Sequence, residues 1–353
     1  MRGLLYYFVI LIVTIGCNES VVPPSVGIQI SDSAIKPFII TDTVQYDTDD
    51  PAIWINKNNP AESLIVGTDK AEDGALYVFN LQGKIQSDKI VRGLKRPNNV
   101  DIEYGFILQN RSIDIIAVTE RITHKLRIFS VPDMTPIDGG GLDMFQGDTA
   151  ADYRDLMGIA LYKDRSGRIF AIVGRKNGPR DGQYLAQYLL ESTTAGQVTA
   201  KLIRKFGQFS GKKEIESIAV DDELGYIYYS DEGFGVRKYF ADPTKGNDEL
   251  AVLGETGFEA DHEGISIFSI TDTTGYIIVS DQQANRFQLF SREGTPGKPH
   301  QHRLIKSVLL STDESDGSDV TSLALNSNFK KGLFVAMSTN KTFQFYKWED
   351  IMP

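Results

Sequence analysis

Charged and polar residues recur at the ends of short apolar segments in this chain. One residue follows the second segment of each of six similar units, and these exit positions hold Lys70, Arg121, Lys176, Glu232, Gln282 and Ser338. Acidic residues lie near the starts of the first segments, at Asp49, Asp50, Glu216, Asp261 and Glu263. If the units surround a common axis, three cations lie beside a cluster of carboxylates.

The two groups suit complementary chemistry. Carboxylates held close together repel one another, which raises their pKa or recruits a cation. Four histidines and one cysteine leave few nitrogen or sulfur ligands. A hard cation is therefore favoured, and Ca²⁺ accepts about 6–8 oxygen ligands in irregular geometry. Arg and Lys bind phosphate oxygens. The combination predicts a site for calcium and a substrate with several phosphates, although each residue alone would be an ordinary solvated strand end.

The units that must position these residues repeat about every 50 residues. Successive exit residues are 50 to 56 residues apart. The first segments begin at Asp50, Asn99, Met157, Glu216, Glu263 and Thr321, which are 47 to 59 residues apart. Short strands at this period, with hardly any helical pattern, predict an all-β fold, a six-bladed β-propeller. The segment 31–45 is free to supply the strand that closes the ring. A β-sandwich pair is the alternative, but it gives no reason for six matched exit positions.

Composition excludes several classes of protein. The chain of 353 residues has 37 basic and 47 acidic residues and a net charge of −10, which disfavours nucleic acid or an anionic membrane as a partner bound by bulk charge. The single cysteine excludes an intramolecular disulfide and a cysteine-based zinc site. The H-E-x-x-H, G-x-S-x-G and P-loop motifs are all absent.

The N-terminus predicts export. Residues 1–16 form a leader with Arg2 and an apolar run from Leu4 to Ile15, and Cys17 follows Gly16 as in a bacterial lipobox. We expect lipidation at Cys17, a tether over 17–30 and a single propeller domain over 31–353. The protein is then anchored by its lipid to a bacterial envelope membrane. A plain signal peptide, with a periplasmic or secreted product, is the alternative.

Two segments resemble the β-propeller phytases, which are calcium-dependent alkaline phytases. The segment from Asp49 to Trp54 matches the family pattern D-D-P-A-x-W, and that from Asn98 to Tyr104 matches N-N-V-D-x-x-Y. The resemblance implies a six-bladed propeller that hydrolyses phytate, myo-inositol hexakisphosphate, with several Ca²⁺ ions. It places calcium ligands at Asp49, Asp50, Glu216, Glu232, Asp261 and Glu263. It places phosphate-binding residues at Lys70, Arg121 and Lys176, with a further acidic segment at Asp316 and Asp319.

Two positions depart from the family pattern. The family usually has a tyrosine where this chain has Met157, which removes one contact to phosphate or to metal-bound water. The family's Q-D-G-x-N-x-D run, a structural calcium site, is replaced by residues 337–341, M-S-T-N-K. The second departure argues against that structural calcium and leaves the core site intact.

The expected chemistry is metal-assisted hydrolysis of a phosphate monoester. A calcium-bound water held by Asp49, Asp50, Glu216 and Glu232 attacks phosphorus directly, while the three cations and Ca²⁺ take up the charge on the phosphate oxygens. The expected substrate is phytate or another inositol phosphate as its calcium complex, and the expected state is a monomer. Two alternatives stay open: a different calcium-dependent propeller hydrolase such as a lactonase, and a non-catalytic binding lipoprotein.

Overall fold

The structure is a computed structural model that describes residues 33–150 and 152–353. The predicted leader, the lipidation at Cys17 and the tether lie outside the described residues. The first strand, β1 (Ile39–Ile40), is short. The rest of the described chain forms strands in chain order, and these strands build six antiparallel sheets of four strands each.

Each sheet is one blade of a propeller. Blade 1 contains β2 (Thr48–Trp54), β3 (Leu64–Asp69), β4 (Gly74–Asn80) and β5 (Val91–Leu94). Blade 2 contains β6 (Pro97–Leu108), β7 (Arg111–Glu120), β8 (Lys125–Val131) and β9 (Leu142–Asp143). Blade 3 contains β10 (Leu156–Lys163), β11 (Ile169–Arg175), β12 (Leu185–Ser192) and β13 (Val198–Phe206).

The second half of the chain repeats this arrangement. Blade 4 contains β14 (Ile218–Asp221), β15 (Tyr226–Asp231), β16 (Gly235–Phe240) and β17 (Ala251–Leu253). Blade 5 contains β18 (His262–Ser269), β19 (Gly275–Asp281), β20 (Arg286–Ser291) and β21 (Leu304–Leu309). Blade 6 contains β22 (Ser318–Thr321), β23 (Leu333–Ser338), β24 (Thr342–Lys347) and β1.

The helices are short and lie at the edges of the blades. Four are 3₁₀ turns, at Pro60–Glu62, Ser87–Lys89, Pro243–Lys245 and Gln282–Ala284, and the α-helix α1 spans Trp348–Ile351. None of the helices in the described residues is long and apolar enough to cross a membrane.

The ring is closed by contacts between innermost strands. The strands β2, β6, β10, β14, β18 and β22 contact one another in this order, and β22 also contacts β2. The closing strand comes from the N-terminal side, because Ile39 pairs with Phe345 and Ile40 with Gln344 of β24. The last blade is thus built from both ends of the described chain, which confirms the closing strand predicted within 31–45 and the six-bladed all-β fold.

Six hydrophobic clusters lie at the six interfaces between blades. On β7, Ile116 and Val118 pack toward blade 1, whereas Ile115 and Ala117 pack toward blade 3. Alternate residues of a strand point to opposite faces, so a strand buried on both faces must be apolar at every position. This requirement explains the continuous apolar runs of the second strands, and it leaves polar residues to the strand ends, where the site is found.

Candidate functional site

The inner strands all enter from one end of the axial channel, and their pairing with the second strands defines equivalent positions. In every blade, one residue of the first strand pairs with the residue that lies two positions before the end of the second strand. These first-strand residues are Pro51, Val100, Ile159, Ile218, Ile265 and Ser318. The residues two positions before them form the entrance ring, which consists of Asp49, Asn98, Met157, Glu216, Glu263 and Asp316. Four of its six members are carboxylates.

The pairing corrects three of the predicted strand-end positions. The ring residues in blades 1 and 2 precede the predicted Asp50 and Asn99 by one residue, as the pairing of Pro51 with Gly67 and of Val100 with Val118 shows. Both strands carry a bulge at this point, as do the first strands of blades 3 and 5. In blade 6 the first strand is the polar Ser318–Thr321, not the apolar segment after Thr321, so the ring member is Asp316. A bulge adds one residue and re-aims the side chains beside it, which spacing alone does not show.

The residues that follow the second strands form the exit ring. They are Lys70, Arg121, Lys176, Glu232, Gln282 and Thr339. Five of these are the residues that the spacing selected. In the sixth blade, Ser338 is still the last residue of β23, so the exit residue is Thr339.

The blades approach so closely at this end that some positions require glycine. A Cβ atom on Gly158 would lie 2.3 Å from the carbonyl oxygen of Glu216, and one on Gly317 would lie 2.5 Å from Oδ1 of Asp50. Neither distance is sterically possible without a shift of the neighbouring group. The glycines therefore allow the two rings to be compact.

Blades 4 and 5 bring together five acidic residues, which we call the carboxylate cluster. It consists of two triads, Glu214 with Glu216 and Glu232, and Glu232 with Asp261 and Glu263. Within each triad one oxygen of each side chain lies within 4.8 Å of the others. Glu232 belongs to both triads, so it lies at the centre of the cluster.

Burial makes the negative charges of this cluster unfavourable. Burial and the charge of Glu216 raise the pKa of Glu232 to about 9. Burial and the charge of Asp49 raise the pKa of Glu216 to about 8. Burial also raises the pKa of Glu263 well above its ordinary value. The cluster therefore holds either protons or a cation at neutral pH.

Several oxygens of the cluster have no hydrogen-bond donor. Glu232 Oε1, Asp261 Oδ1 and Glu263 Oε2 are buried and have no partner among the described residues. Buried polar atoms are nearly always satisfied, so three carboxylate oxygens of this kind in one place offer ligands to a cation. The all-oxygen donor set fits a hard divalent ion. The cluster can accordingly hold a metal ion, as can be inferred from its geometry and donors.

Asp49 lies beside this cluster but is already engaged. Its Oδ1 pairs with Lys70 Nζ at 3.0 Å, and its Oδ2 accepts a hydrogen bond from Asn98 Nδ2 at 3.0 Å. Asn98 also donates to Glu216 Oε1 at 3.3 Å, so the amide bridges Asp49 to the carboxylate cluster. Lys70 also pairs with Asp316 at 3.3 Å. Burial opposes its charge, yet the carboxylates around it, led by Asp49, raise the pKa of Lys70.

Asp50 faces the axial channel instead of the mouth. It lines a cavity of about 140 Å³ together with Asp101 and Asp319. Its Oδ2 accepts a hydrogen bond from the backbone N–H of Val100 at 3.0 Å. Asp101 and Asp319 likewise accept backbone N–H groups of the next blade, from Leu161 and Ile53. These aspartates link neighbouring inner strands.

Arg121 is a buried cation without a carboxylate partner. Its side chain is 9% exposed, its Nη2 contacts the sulfur of Met157, and its Nε has no partner. In the part of the chain that the structure describes, no ion pair involves Arg121. An uncompensated buried charge is costly, so the surroundings of this guanidinium favour binding of an anion.

The mouth is a cavity of about 530 Å³ that is lined mostly by acidic residues. Lys176 is 42% exposed and pairs with Glu214 at 3.0 Å. Lys213 pairs with Asp261, and both line the cavity. The other lining residues are Asp152, Lys176, Asn177, Glu214, Glu216, Glu232, Glu263, Gln282 and Asp316. Four of the predicted site residues do not line this cavity: Asp49, Asp50, Lys70 and Arg121. The predicted residues are therefore divided among the mouth cavity, the axial channel and the boundary between the two.

Three site residues were not selected from the sequence. Glu214 and Lys213 precede the first strand of blade 4 and show no repeat pattern, although Glu214 is two residues before Glu216. Asn98 was identified only as part of a motif. Asp316, noted as a weak match, becomes an entrance-ring member once the short polar strand β22 is recognised.

Comparisons with known proteins identify the family of this chain. The family model described as Phytase matches residues 18–352. The 3-phytase of Bacillus subtilis (strain 168) is 29% identical over 321 residues, which cover 86% of this chain and 80% of that protein. A solved structure described as "Structure of Dos1 propeller" is 11% identical, covers 85% of this chain and 67% of that chain, and has a TM-score of 0.45. Since the family model spans nearly the whole sequence, the chain belongs to the phytase family, whose members are phosphoric monoester hydrolases.

Proposed function

We propose that this protein removes phosphate from phytate, or from another inositol phosphate, in a calcium-dependent reaction. The observation that carries the proposal is the presence of incompletely paired groups of both signs among the strand ends of the two rings. Among the described residues, Arg121 has no carboxylate partner, and in the carboxylate cluster the buried oxygens Glu232 Oε1, Asp261 Oδ1 and Glu263 Oε2 have no hydrogen-bond donor. A phosphorylated substrate that arrives with calcium ions supplies partners for both.

The residues available to hold calcium are those of the carboxylate cluster. Glu214, Glu216, Glu232, Asp261 and Glu263 offer oxygens only, which suits Ca²⁺ better than a cation that prefers nitrogen or sulfur. Asp49 and Asp316 stand beside them as ligands of Lys70 and hold its ammonium in place. When bound, the cation neutralises charge on the phosphate and lowers the pKa of water, so that water can attack phosphorus.

The chain's own cations bind and orient the phosphate group. Arg121 presents a planar guanidinium that matches two phosphate oxygens. Lys70 adds a buried ammonium, and Lys176 an exposed one that can leave Glu214 for a phosphate. Negative charge that develops on the phosphate oxygens is then stabilised by groups already in place. No covalent intermediate with the protein is required.

The proposal extends to the location and state of the protein. The leader and Cys17 support export, followed by lipid attachment to an envelope membrane, with the propeller as a monomer on its tether. Replacing Cys17 with Ser should move the protein from the membrane fraction to the soluble fraction. An unchanged distribution between the two fractions would contradict lipid anchoring.

The deciding experiment measures phosphate released from phytate after treatment with EGTA. We expect no turnover without calcium and recovery when Ca²⁺ is added back. Binding of phytate without release of phosphate would support the non-catalytic alternative. Hydrolysis of a sugar lactone, with none of phytate, would support the lactonase. Full activity after exhaustive chelation would overturn the calcium requirement while leaving the phosphatase activity in place.

A further inference from the structure

Lys213 places a positive charge inside the carboxylate cluster. Its ammonium pairs with Oδ2 of Asp261, a nearly fully buried residue of the second triad. Gln283 donates to the same oxygen at 2.7 Å, while Asp261 Oδ1 has no partner. One carboxylate of the triad is therefore already neutralised by the chain itself, before any divalent cation binds.

The setting of Lys213 differs from that of Lys70. Lys70 is 14% exposed and is held by two carboxylates, so it is a fixed part of the site. The side chain of Lys213 is 51% exposed and has a single carboxylate partner. A half-exposed ion pair is weak, because solvent screens the attraction and a long side chain must be kept in one rotamer. Lys213 can therefore leave Asp261 at little cost.

We propose that Lys213 is a built-in counter-cation that occupies the second triad until a divalent cation displaces it. An ammonium and a divalent ion cannot both lie against Asp261 without strong repulsion, so their binding is competitive. Lys213 thus lowers the calcium affinity of the triad formed by Glu232, Asp261 and Glu263. The inference rests on the proposed calcium dependence and specifies how this chain regulates it.

The chain offers a matched control in the preceding residue. Lys212 carries the same charge, but its Nζ donates to the carbonyl oxygen of Gly233 at 2.7 Å and lies over the ring of Phe234. It does not line the mouth cavity. The variants Lys213→Met and Lys212→Met remove the same charge from neighbouring positions, and only the first removes the ammonium from the triad.

The test is calcium titration of the full chain after chelation, by isothermal calorimetry and without substrate. A like charge within a few ångströms shifts a neighbouring charge equilibrium by roughly tenfold or more. We expect Lys213→Met to bind calcium roughly tenfold more tightly at the second triad, while Lys212→Met and Lys213→Arg resemble the wild type. The order of the melting temperatures should also reverse. Without calcium Lys213→Met should melt below Lys212→Met, and at saturating calcium Lys213→Met should melt at or above the temperature of Lys212→Met.

The possible outcomes separate this inference from the proposed function. If all variants bind calcium with equal affinity and stoichiometry, Lys213 does not compete and the inference is wrong, whereas calcium dependence stands. Weaker binding by Lys213→Met would also overturn it, because Lys213 would then support the site. If no variant binds calcium at all, the carboxylate cluster is not a calcium site, and no divalent cation can displace Lys213.

Discussion

The two halves of the propeller mouth use the same strand-end positions for opposite purposes. In blades 1 to 3 the exit residues are Lys70, Arg121 and Lys176, whereas in blades 4 to 6 they are Glu232, Gln282 and Thr339. The backbone supplies equivalent positions in every blade, and the side chains decide the chemistry. Among the described residues, each half also contains buried atoms that have no hydrogen-bond partner: Nε of Arg121 on one side, and oxygens of Glu232, Asp261 and Glu263 on the other. Under the proposed function, a phosphorylated substrate with its calcium ions would satisfy the groups in both halves.

The carboxylates of the channel provide a second comparison. Burial raises the pKa of Asp101 to about 8 and that of Asp319 to about 6, as it raises the values in the carboxylate cluster. Yet both oxygens of Asp319 accept backbone N–H groups, at 2.7 Å each, and so do both oxygens of Asp101. A raised pKa therefore does not separate structural from functional carboxylates here. The supply of hydrogen-bond donors does.

The largest expected effect comes from Glu232→Gln, which breaks the acidic half at the residue shared by both triads. We expect kcat/KM on phytate to fall by roughly a hundredfold to a thousandfold, the contribution of one preorganised charged group. Without calcium the variant should melt above the wild type at neutral pH, because burial of Glu232 requires a proton that the unfolded chain does not bind, whereas Gln requires none.

The measurements for this variant are steady-state kinetics and thermal melting with EGTA, and the control is Glu191→Gln on the exposed part of β12. Activity close to that of the wild type would show that the acidic half is not part of the reaction.

Arg121→Ala breaks the cationic half and leaves the acidic half intact. The loss of a two-point donor should cost about 2 kcal/mol of transition-state binding, which is roughly thirtyfold in kcat/KM. The increase in melting temperature on adding calcium should stay as in the wild type, because no cation ligand is removed.

Arg121→Lys keeps the positive charge but cannot donate two parallel hydrogen bonds, so it should recover only part of the activity. Arg92→Ala, on an exposed position of β5, is the control. Wild-type kinetics in Arg121→Ala would mean that the buried guanidinium serves packing alone.

The acidic half also predicts how stability depends on pH. The pKa values of Glu216 and Glu232, about 8 and about 9, lie above the ordinary value of 4.5. Between these values the folded protein binds more protons than the unfolded chain, so the free energy of unfolding falls as pH rises from about 5 to about 9. With EGTA the melting temperature should drop by several degrees over this range. Calcium should flatten the slope, because the cation replaces the protons. Parallel slopes with and without calcium would contradict a cation in the cluster.

The fold could be predicted from the sequence more completely than the site. The six predicted exit positions, of which five are correct and the sixth is one residue early, were enough to predict the number of blades, because a steady period of buried strands must place the strand ends together. The entrance ring was harder, since the choice between Asp49 and Asp50 depends on the pairing of Pro51 with Gly67, and the spacing of the repeats does not give this register. Lys213 and Glu214 lie on a connecting segment, where no periodicity predicts position. Their role depends on tertiary contacts with Asp261 and Lys176 that the sequence does not encode locally.

The smallest effect on activity is expected from a substitution of Met157, which lies where the cationic and acidic halves meet. This residue is fully buried in the entrance ring, and its sulfur is the one side-chain partner of Arg121 among the described residues. A thioether accepts hydrogen bonds weakly, so it holds the guanidinium without competing with a phosphate. Met157→Tyr adds a hydroxyl that can donate to phosphate, a gain of at most about a hundredfold if the bond contributes roughly 1.5–3 kcal/mol. The larger ring in a packed site costs about 1–3 kcal/mol of stability, which offsets part of the gain.

We therefore expect kcat/KM on phytate to rise only severalfold and the melting temperature to fall by a few degrees, while Met157→Leu, which conserves volume, changes both little. If Met157→Tyr folds well and loses activity, the space beside Arg121 is shaped for a ligand that the hydroxyl excludes, and the cationic half binds something other than the phosphate proposed here.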